Sequence, residues 1–516
     1  MSGAASERTE PIKVLPLVAM ALGVFVIAND VTALSLALPD IERDFDTDVG
    51  TAQWVINAYA LVFGVLIVTG GRLADMIGRR RIFFIGAAVF VGFSLLGALA
   101  PSAVLLIVCR ALMGIGGAMM WPAILGMTFG LLPAEKAGLA GGLILGSAGF
   151  GNAAGPLIGG ALTSIDWRLI LILNLPVAAI ACLVVARSVK ESRDENASRR
   201  IDYAGVTTLT VGLFALLFAL DLVTSLGWTD PRVLGLLVAV VALLTAFALV
   251  ERRAGEAALV PRDVMANRGF AWACLAVLLM SASFFASLMY LPQFMQKILD
   301  FPSLQAGIGM LPMMGLFALS SAVAGPLYGR LGGKLVVCAG AVCIAVGTFL
   351  ISTVQPDSQL IALVPGMAVL GTGIGLFYSS VTTAGVTALD PARASLAGGI
   401  VYMFQIAGGS IGLGLTTTVF TTASEDRLQS VTPTSGLSEP EREAVQGVLT
   451  GSESAAQVIA DLSTRAADQV IDIVRESFVA GMQWGFRLVA LMAVGGVIVS
   501  LLFVAGPLVR RRAQAG

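Results

Sequence analysis

Histidine is missing from the 516-residue sequence altogether. Its absence removes the commonest metal ligand and the side chain that titrates nearest neutral pH, so any proton this protein carries must ride on a carboxylate. Charge of either sign is scarce: Asp, Glu, Lys and Arg make up 13% of the chain and the formal net charge is −1. No Arg-rich stripe with interleaved aromatics appears, which sets nucleic acid aside as a partner. There is also too little polar material to clothe the two to four soluble domains that this length would otherwise form. The five cysteines (Cys109, Cys182, Cys274, Cys338, Cys343) lie in apolar runs without metal-ligand spacing and read as small core residues. No G-x-x-x-x-G-K-[ST] loop occurs, so ATP is not the expected energy source. No metal cluster or activated serine suggests an enzyme.

What remains is apolar. Hydrophobic residues account for 57% of the chain and the mean hydropathy is +0.89. A membrane helix needs roughly 20 apolar residues. Runs of that kind fall at 14–38, 53–72, 82–100, 103–127, 138–163, 168–187, 203–224, 232–250, 269–292, 304–328, 335–353, 359–384, 395–421 and 481–508. The first is too long for a signal-peptide core and lacks a small-x-small cleavage site, so it is expected to stay as a helix. The abundant glycine (59 residues) suits close packing of such helices. With the N-terminus inside, Arg79–Arg81, Arg199–Arg200, Arg252–Arg253 and Arg510–Arg512 all fall on the cytoplasmic side. The short outer breaks hold only Arg43, Arg168, Arg232 and Lys297. That asymmetry satisfies the positive-inside rule for fourteen spans, and a count of twelve or thirteen would spoil it. The long break at 422–477 lies outside. Its second part repeats apolar residues at helical spacing, as an amphipathic helix on the outer membrane face or a solvated helical hairpin would.

Four motifs carry chemistry. The first, Gly71-Arg-Leu-Ala-Asp75-Met-Ile-Gly78-Arg79-Arg80, has a faint echo in Gly325-Pro-Leu-Tyr-Gly329-Arg330-Leu-Gly332-Gly333-Lys334, which suggests two related halves. It resembles the loop motif G-x-L-x-D-R-x-G-R-[RK] of the major facilitator superfamily, with Met76 where an Arg is usual. Arg110-Ala-Leu-Met113-Gly114-Ile-Gly116-Gly117-Ala118 resembles the fourth-helix motif R-x-x-Q-G-x-G-x-A, with Met113 for Gln. Gly151-Asn-Ala-Ala-Gly155-Pro156-Leu-Ile-Gly159-Gly160 resembles the motif that marks proton-exchanging exporters. Asp30-Val-Thr32-Ala-Leu-Ser35-Leu-Ala-Leu38-Pro39 resembles the first-helix signature of the fourteen-helix drug/proton antiporters, with Ser35 for Asn. The likeness runs from about residue 14 to 508.

The resemblance implies an all-α membrane protein of the major facilitator fold. Residues 1–187 would form one six-helix bundle, 188–268 two inserted helices with their loops, and 269–516 a second six-helix bundle that includes the loop 422–477. It also implies a monomeric, proton-coupled antiporter in a bacterial cytoplasmic membrane, both termini inside, exporting hydrophobic or amphipathic small molecules such as drugs and dyes. Export of an endogenous lipid or secondary metabolite is the alternative, and a non-transporting membrane sensor a more distant one. No cofactor is expected beyond the proton gradient. The ionisable groups within the spans are Asp30, Arg110, Asp221 and Arg487. Such groups are costly in lipid and mark function by default. Asp30 and Arg110 are assigned to proton coupling, whereas Asp221 and Arg487 read as interfacial. Asp75, in the turn shaped by Gly71 and Gly78, is expected to latch an inner gate against the helix N-terminus near 394–397. Gly151, Gly155 and Gly159 are expected to pack against the tenth span. The candidate cavity residues are Trp54, Tyr59, Met120, Trp121, Phe150, Met289, Met313, Tyr378 and Tyr402, with Asn57, Asn152 and Gln405 as polar contacts. Aromatic and Met surfaces of this kind suit varied, greasy substrates.

Overall fold

The computed structural model describes residues 14–47, 49–133, 136–194, 202–255, 258–261, 264, 266–435 and 464–503. Among them every regular element is helical, as lipid requires of a chain whose backbone polar groups must be satisfied internally. Helix α1 (Val14–Leu34) runs through a short 3-10 turn into α2 (Leu38–Phe45). Then come α3 (Val49–Ile77), α4 (Arg79–Ala98), α5 (Ala103–Leu131), α6 (Ala137–Thr163) and α7 (Arg168–Ser188). A pair follows, α8 (Tyr203–Leu226) and α9 (Pro231–Ala254). The second part holds α10 (Arg268–Lys297), α11 (Ser303–Gly309), α12 (Leu311–Leu331), α13 (Gly333–Ile351), α14 (Leu360–Thr387), α15 (Ala394–Ser435) and α16 (Thr464–Phe503).

Thirteen described helices are long and apolar enough to cross a membrane. The glycine-rich α6, 27 residues long, is not among them, because its glycines dilute its hydropathy. It nevertheless packs along both α1 and α12, so fourteen long helices build the body. Polar side chains start several of them: Ser102, Asp202, Asp230 and Asn267 each accept a backbone N–H of the first turn. The faint sequence repeat has a backbone counterpart. Gly78 (φ 131°) and Gly332 (φ 97°) both take a conformation that L side chains rarely adopt, each in the turn between two long helices.

Helices α3–α5 and α7 form one group with α1, which also packs closely on α6, and α10 and α13–α16 form another. The two groups meet along two seams. One is α6 against α12 and α14; the other is α15 against α3 and α5. The pair α8–α9 sits outside, with α8 touching α3 and α15.

The stretch 422–435 is not a loop. It continues α15, a helix of 42 residues, and 464–477 likewise begins the 40-residue α16. Glu425, Arg427 and Leu428 are good helix formers, so the helix persists after it ceases to be apolar. Arg427 pairs with Glu476 at 2.7 Å across the two extensions, and Arg475 with Asp300 at 2.8 Å. This pairing fits the helical hairpin better than a helix lying flat on the membrane. Residues 436–463, with part of the expected apolar repeat, lie outside the described residues, as does the side chain of Asp221. Arg487 is exposed and stacks over the Trp484 ring at 4.7 Å.

Candidate functional site

Asp30 on α1 and Arg110 on α5 meet in a fully buried ion pair, Arg110 Nη1 to Asp30 Oδ2. The pair is held from all sides. Arg110 Nε donates to the Val55 carbonyl of α3 at 2.9 Å, and its guanidinium lies 4.6 Å over the Tyr59 ring. Met113, one turn on, puts its Sδ 3.7 Å from Nη1. The other carboxylate oxygen accepts from Asn174 Nδ2 of α7 at 2.8 Å. Asn174 also donates to Ser94 Oγ (3.1 Å), which donates to the Leu171 carbonyl (2.8 Å). Four helices are thereby tied through one carboxylate and one guanidinium. Arg110 Nη2 and Tyr59 Oη are buried without hydrogen-bond partners among the described residues, so the cluster keeps capacity for a further polar group. Asn174 and Ser94 were not assigned roles from the sequence. Ser94 has no signal beyond a hydroxyl in an apolar run, and Asn174 stands in the stretch Asn174-Leu-Pro176, which shares the family resemblance without pointing to a partner.

At one end of the body a second cluster closes the α3–α15 seam. Asp75 Oδ2 accepts the Leu396 N–H, in the first turn of α15, at 2.9 Å, and Oδ1 accepts from Arg79 Nε at 3.0 Å. Arg79 Nη1 donates to the Gly126 carbonyl (3.2 Å), and Nη2 donates to those of Pro391 (3.1 Å) and Ala392 (2.8 Å). The contact expected between Asp75 and this helix N-terminus is present, and Arg79 joins it: the acid accepts from the first turn of α15 while the cation donates to carbonyls on both halves. Arg80 and Arg81 offer their N–H groups to Glu191 (3.0 and 3.1 Å), which fixes the turn from behind. Gly71 is required here because a Cβ would lie 2.8 Å from the Ser395 carbonyl oxygen.

The glycine motif of α6 faces elsewhere than its expected partner. Gly151, Gly155 and Gly159 lie against Phe25–Ala33 of α1, not against α11–α12. The seam with α12 uses another stripe of the same helix: Gly138 against Gly325, Gly142 against Ser321 and Gly149 against Ala318. Helical geometry explains the difference, since two residues turn the helix by about 200° and put Gly151 almost opposite Gly149. Pro156 does reach the second half, where it meets Gly307.

The candidate cavity residues divide. Trp121 (α5), Tyr402 and Gln405 (α15) come together where the halves meet, with the Trp121 and Tyr402 rings 4.4 Å apart. Phe63, not singled out from the sequence, stands edge-on to both rings. The space left there is about 10 Å³, roughly what one water molecule needs. Tyr59 belongs to the charge cluster instead. Met120, Met313 and Tyr378 are fully buried in packing within one half: Met120 against Gly86, Met313 against Gly371, and Tyr378 donating to Ser281 Oγ at 3.0 Å. Trp54 faces Phe218 of the outer pair, ring centroids 5.9 Å apart. Phe150 (61%) and Met289 (44%) are exposed on the body's surface, and Asn57 and Asn152 are half-buried. Most of these residues therefore do not share one chamber.

Two helical groups that meet along two seams, with a buried ion pair inside one of them, are an architecture that many secondary transporters share. Residues 20–413 match the model of the Major Facilitator Superfamily, and the chain belongs to that family. It is 35% identical over 431 residues to the puromycin resistance protein pur8 of Streptomyces alboniger, covering 82% of this chain and 85% of the relative. It is 29% identical over 493 residues to the tetracenomycin C resistance and export protein of Streptomyces glaucescens, covering 94% and 90%. Among solved structures, the human organic anion transporter MFSD10 (TETRAN) superposes with a TM-score of 0.61 at 13% identity, covering 95% of this chain and all of that one. That likeness speaks to the fold.

Proposed function

We propose that this protein exports amphipathic small molecules from a bacterial cytoplasm in exchange for protons, with Asp30 as the proton carrier. The observation that carries the reading is the buried Asp30–Arg110–Asn174 cluster. An ion pair of zero exposure joins helices of the first half, and neutralising its acid would remove the charge that holds Arg110 against α1. Relatives named for antibiotic resistance and export support the direction and the kind of cargo. In this reading the Asp75 end is cytoplasmic and the latched state is closed to the cytoplasm. Binding from the cytoplasm requires the latch to open, and proton uptake from outside resets the pair. In proteoliposomes with no imposed gradient, adding ethidium is expected to release protons from wild-type protein. Ethidium movement without proton movement would refute the antiport.

The latch gives a separate prediction. Asp75→Asn removes the charge and turns an amide N–H toward either Leu396 N–H or Arg79, both donors. A carboxylate at a helix N-terminus contributes about 0.3–2 kcal/mol, so the inward-open population is expected to rise by about tenfold per 1.4 kcal/mol lost. Spin-label distances between the Asp75 ends of α5 and α14 read this directly, and an unchanged distribution would leave Asp75 as a packing residue of α3, ahead of the turn at Gly78.

A further inference from the structure

The outer pair α8–α9 takes no part in the ion-pair cluster or the latch, yet it walls an apolar slot of about 290 Å³ against the body. Leu209 (α8), Phe247 (α9), Val68 (α3), Cys274 (α10) and Met403 and Phe404 (α15) line it. The segment after α9 closes one end. Glu251 accepts the N–H groups of Leu259 (2.9 Å) and Val260 (3.2 Å), which turns the chain back and brings Val260 into the wall.

Three observations bear on what occupies the slot. The first is access: among α9 residues only Val233, Val240 and Glu251 are buried, so the slot's outer wall is a thin, membrane-facing helix. The second is continuity with the central seam. α15 gives Met403 and Phe404 to the slot and Tyr402 and Gln405 to the seam. The joint between the two spaces is α3 on α15, where Gly399 meets the Ile67 carbonyl and Gly64 meets Ile406. Glycine contacts part without leaving a large side chain behind. The third is polarity along the slot's length. One turn beyond Val68 stands Arg72, one turn beyond Phe247 stands Glu251, and two turns before Leu209 stands Asp202. Arg72 (6% exposed) and Glu251 (3%) are buried there, and Asp202 Oδ2 is buried without a hydrogen-bond partner among the described residues. An apolar length with a charged end matches an amphipathic molecule better than a bare acyl chain.

We propose that the slot is an entry vestibule. An amphipathic substrate slides from the membrane leaflet between the outer pair and the body, ring system against Phe247 and Phe404. It then passes to the central seam when α3 and α15 separate. This assigns α8–α9 a role in loading, and it rests on the export reading above.

The test uses the full chain in proteoliposomes with ethidium, a planar amphipathic cation, and its photoreactive azide. Photolysis is expected to label the slot-lining segments of α10 and α15, and excess ethidium is expected to suppress the label. Ala271 stands among the slot-lining residues and is exposed, so Ala271→Trp should obstruct the slot while folding normally. It is expected to raise the KM for ethidium about tenfold with kcat and protons released per ethidium unchanged, the signature of lost uniform binding. Phe247→Ala, which widens the slot, gives an independent reading in which the label moves or weakens. Label elsewhere, or an unchanged KM in Ala271→Trp, overturns the vestibule. Phospholipid retained in the slot by native mass spectrometry, with no azide label there, overturns it in favour of a lipid chain. Protein that binds and labels in the slot but moves no protons would refute the antiport and leave the vestibule standing.

Discussion

Asp30→Asn is expected to stop proton-driven export while leaving the protein inserted and folded. The substitution keeps the shape and one acceptor, so Asn174 Nδ2 can still be satisfied, but Arg110 loses its counter-charge in a site of zero exposure. Removing one partner of a buried pair costs about 3–5 kcal/mol. If the lower figure falls on the step that re-forms the pair, turnover drops about a hundredfold. Ethidium export from inverted vesicles under an imposed pH gradient checks this, and wild-type rates would remove Asp30 from the coupling. Arg110→Lys is expected to restore little, because a point charge cannot donate to Val55 and Asp30 together as the fork does. The pair Asp30→Asn with Arg110→Gln should recover stability without transport, since no buried charge is then stranded.

Gly159→Leu is expected to be nearly as damaging by a different route. A Cβ at Gly159 would stand 2.8 Å from Ala33 Cα and 2.9 Å from its carbonyl carbon, where only backbone could give way. Overpacking typically costs about 1–3 kcal/mol, and pushing α1 away also displaces Asp30, three residues before Ala33. Loss of both monodisperse protein and export is expected, with Gly315→Leu as control because nothing lies within 4 Å of that site. Wild-type behaviour of Gly159→Leu would mean that the α1–α6 contact is dispensable. Cysteines at 142 and 321, or at 149 and 318, are expected to crosslink the halves, whereas cysteines at 155 paired with 307–315 should not.

The helices and the principal charges were legible because lipid imposes length and hydropathy on a span and a penalty on each charge within it. Asp30 and Arg110 stand out on those grounds, and Asp75 through the Gly71–Arg80 motif that follows the second span. Direction around the helix axis was not legible, because a helix apolar on every side carries no phase in its pattern. That is why Gly151, Gly155 and Gly159 were referred to the wrong neighbour, and why Met120, Met313 and Tyr378 were placed in a cavity instead of in packing. Asn174 and Ser94 escaped for a related reason: a lone amide or hydroxyl in a span acquires meaning only from what faces it, and their partners are 144 and 77 residues away. The end of α15 was misplaced because hydropathy marks where a helix leaves the apolar layer, not where its hydrogen bonds stop.

That last feature has a mechanical side. At 1.5 Å per residue α15 is roughly 60 Å long, about twice the thickness of a hydrocarbon core. One end is the helix N-terminus that Asp75 grips, and the other is braced to α16 through Arg427 and Glu476. A rod gripped at one face and carried past the other, where it is tied to a helix of its own half, acts as a pointer. Any tilt that opens the Asp75 end swings the far tip in the opposite sense, with its travel magnified by the overhang. A fluorophore on the Arg427–Glu476 tip would therefore report gate motion from the opposite side of the membrane, without touching the seam or the ion pair.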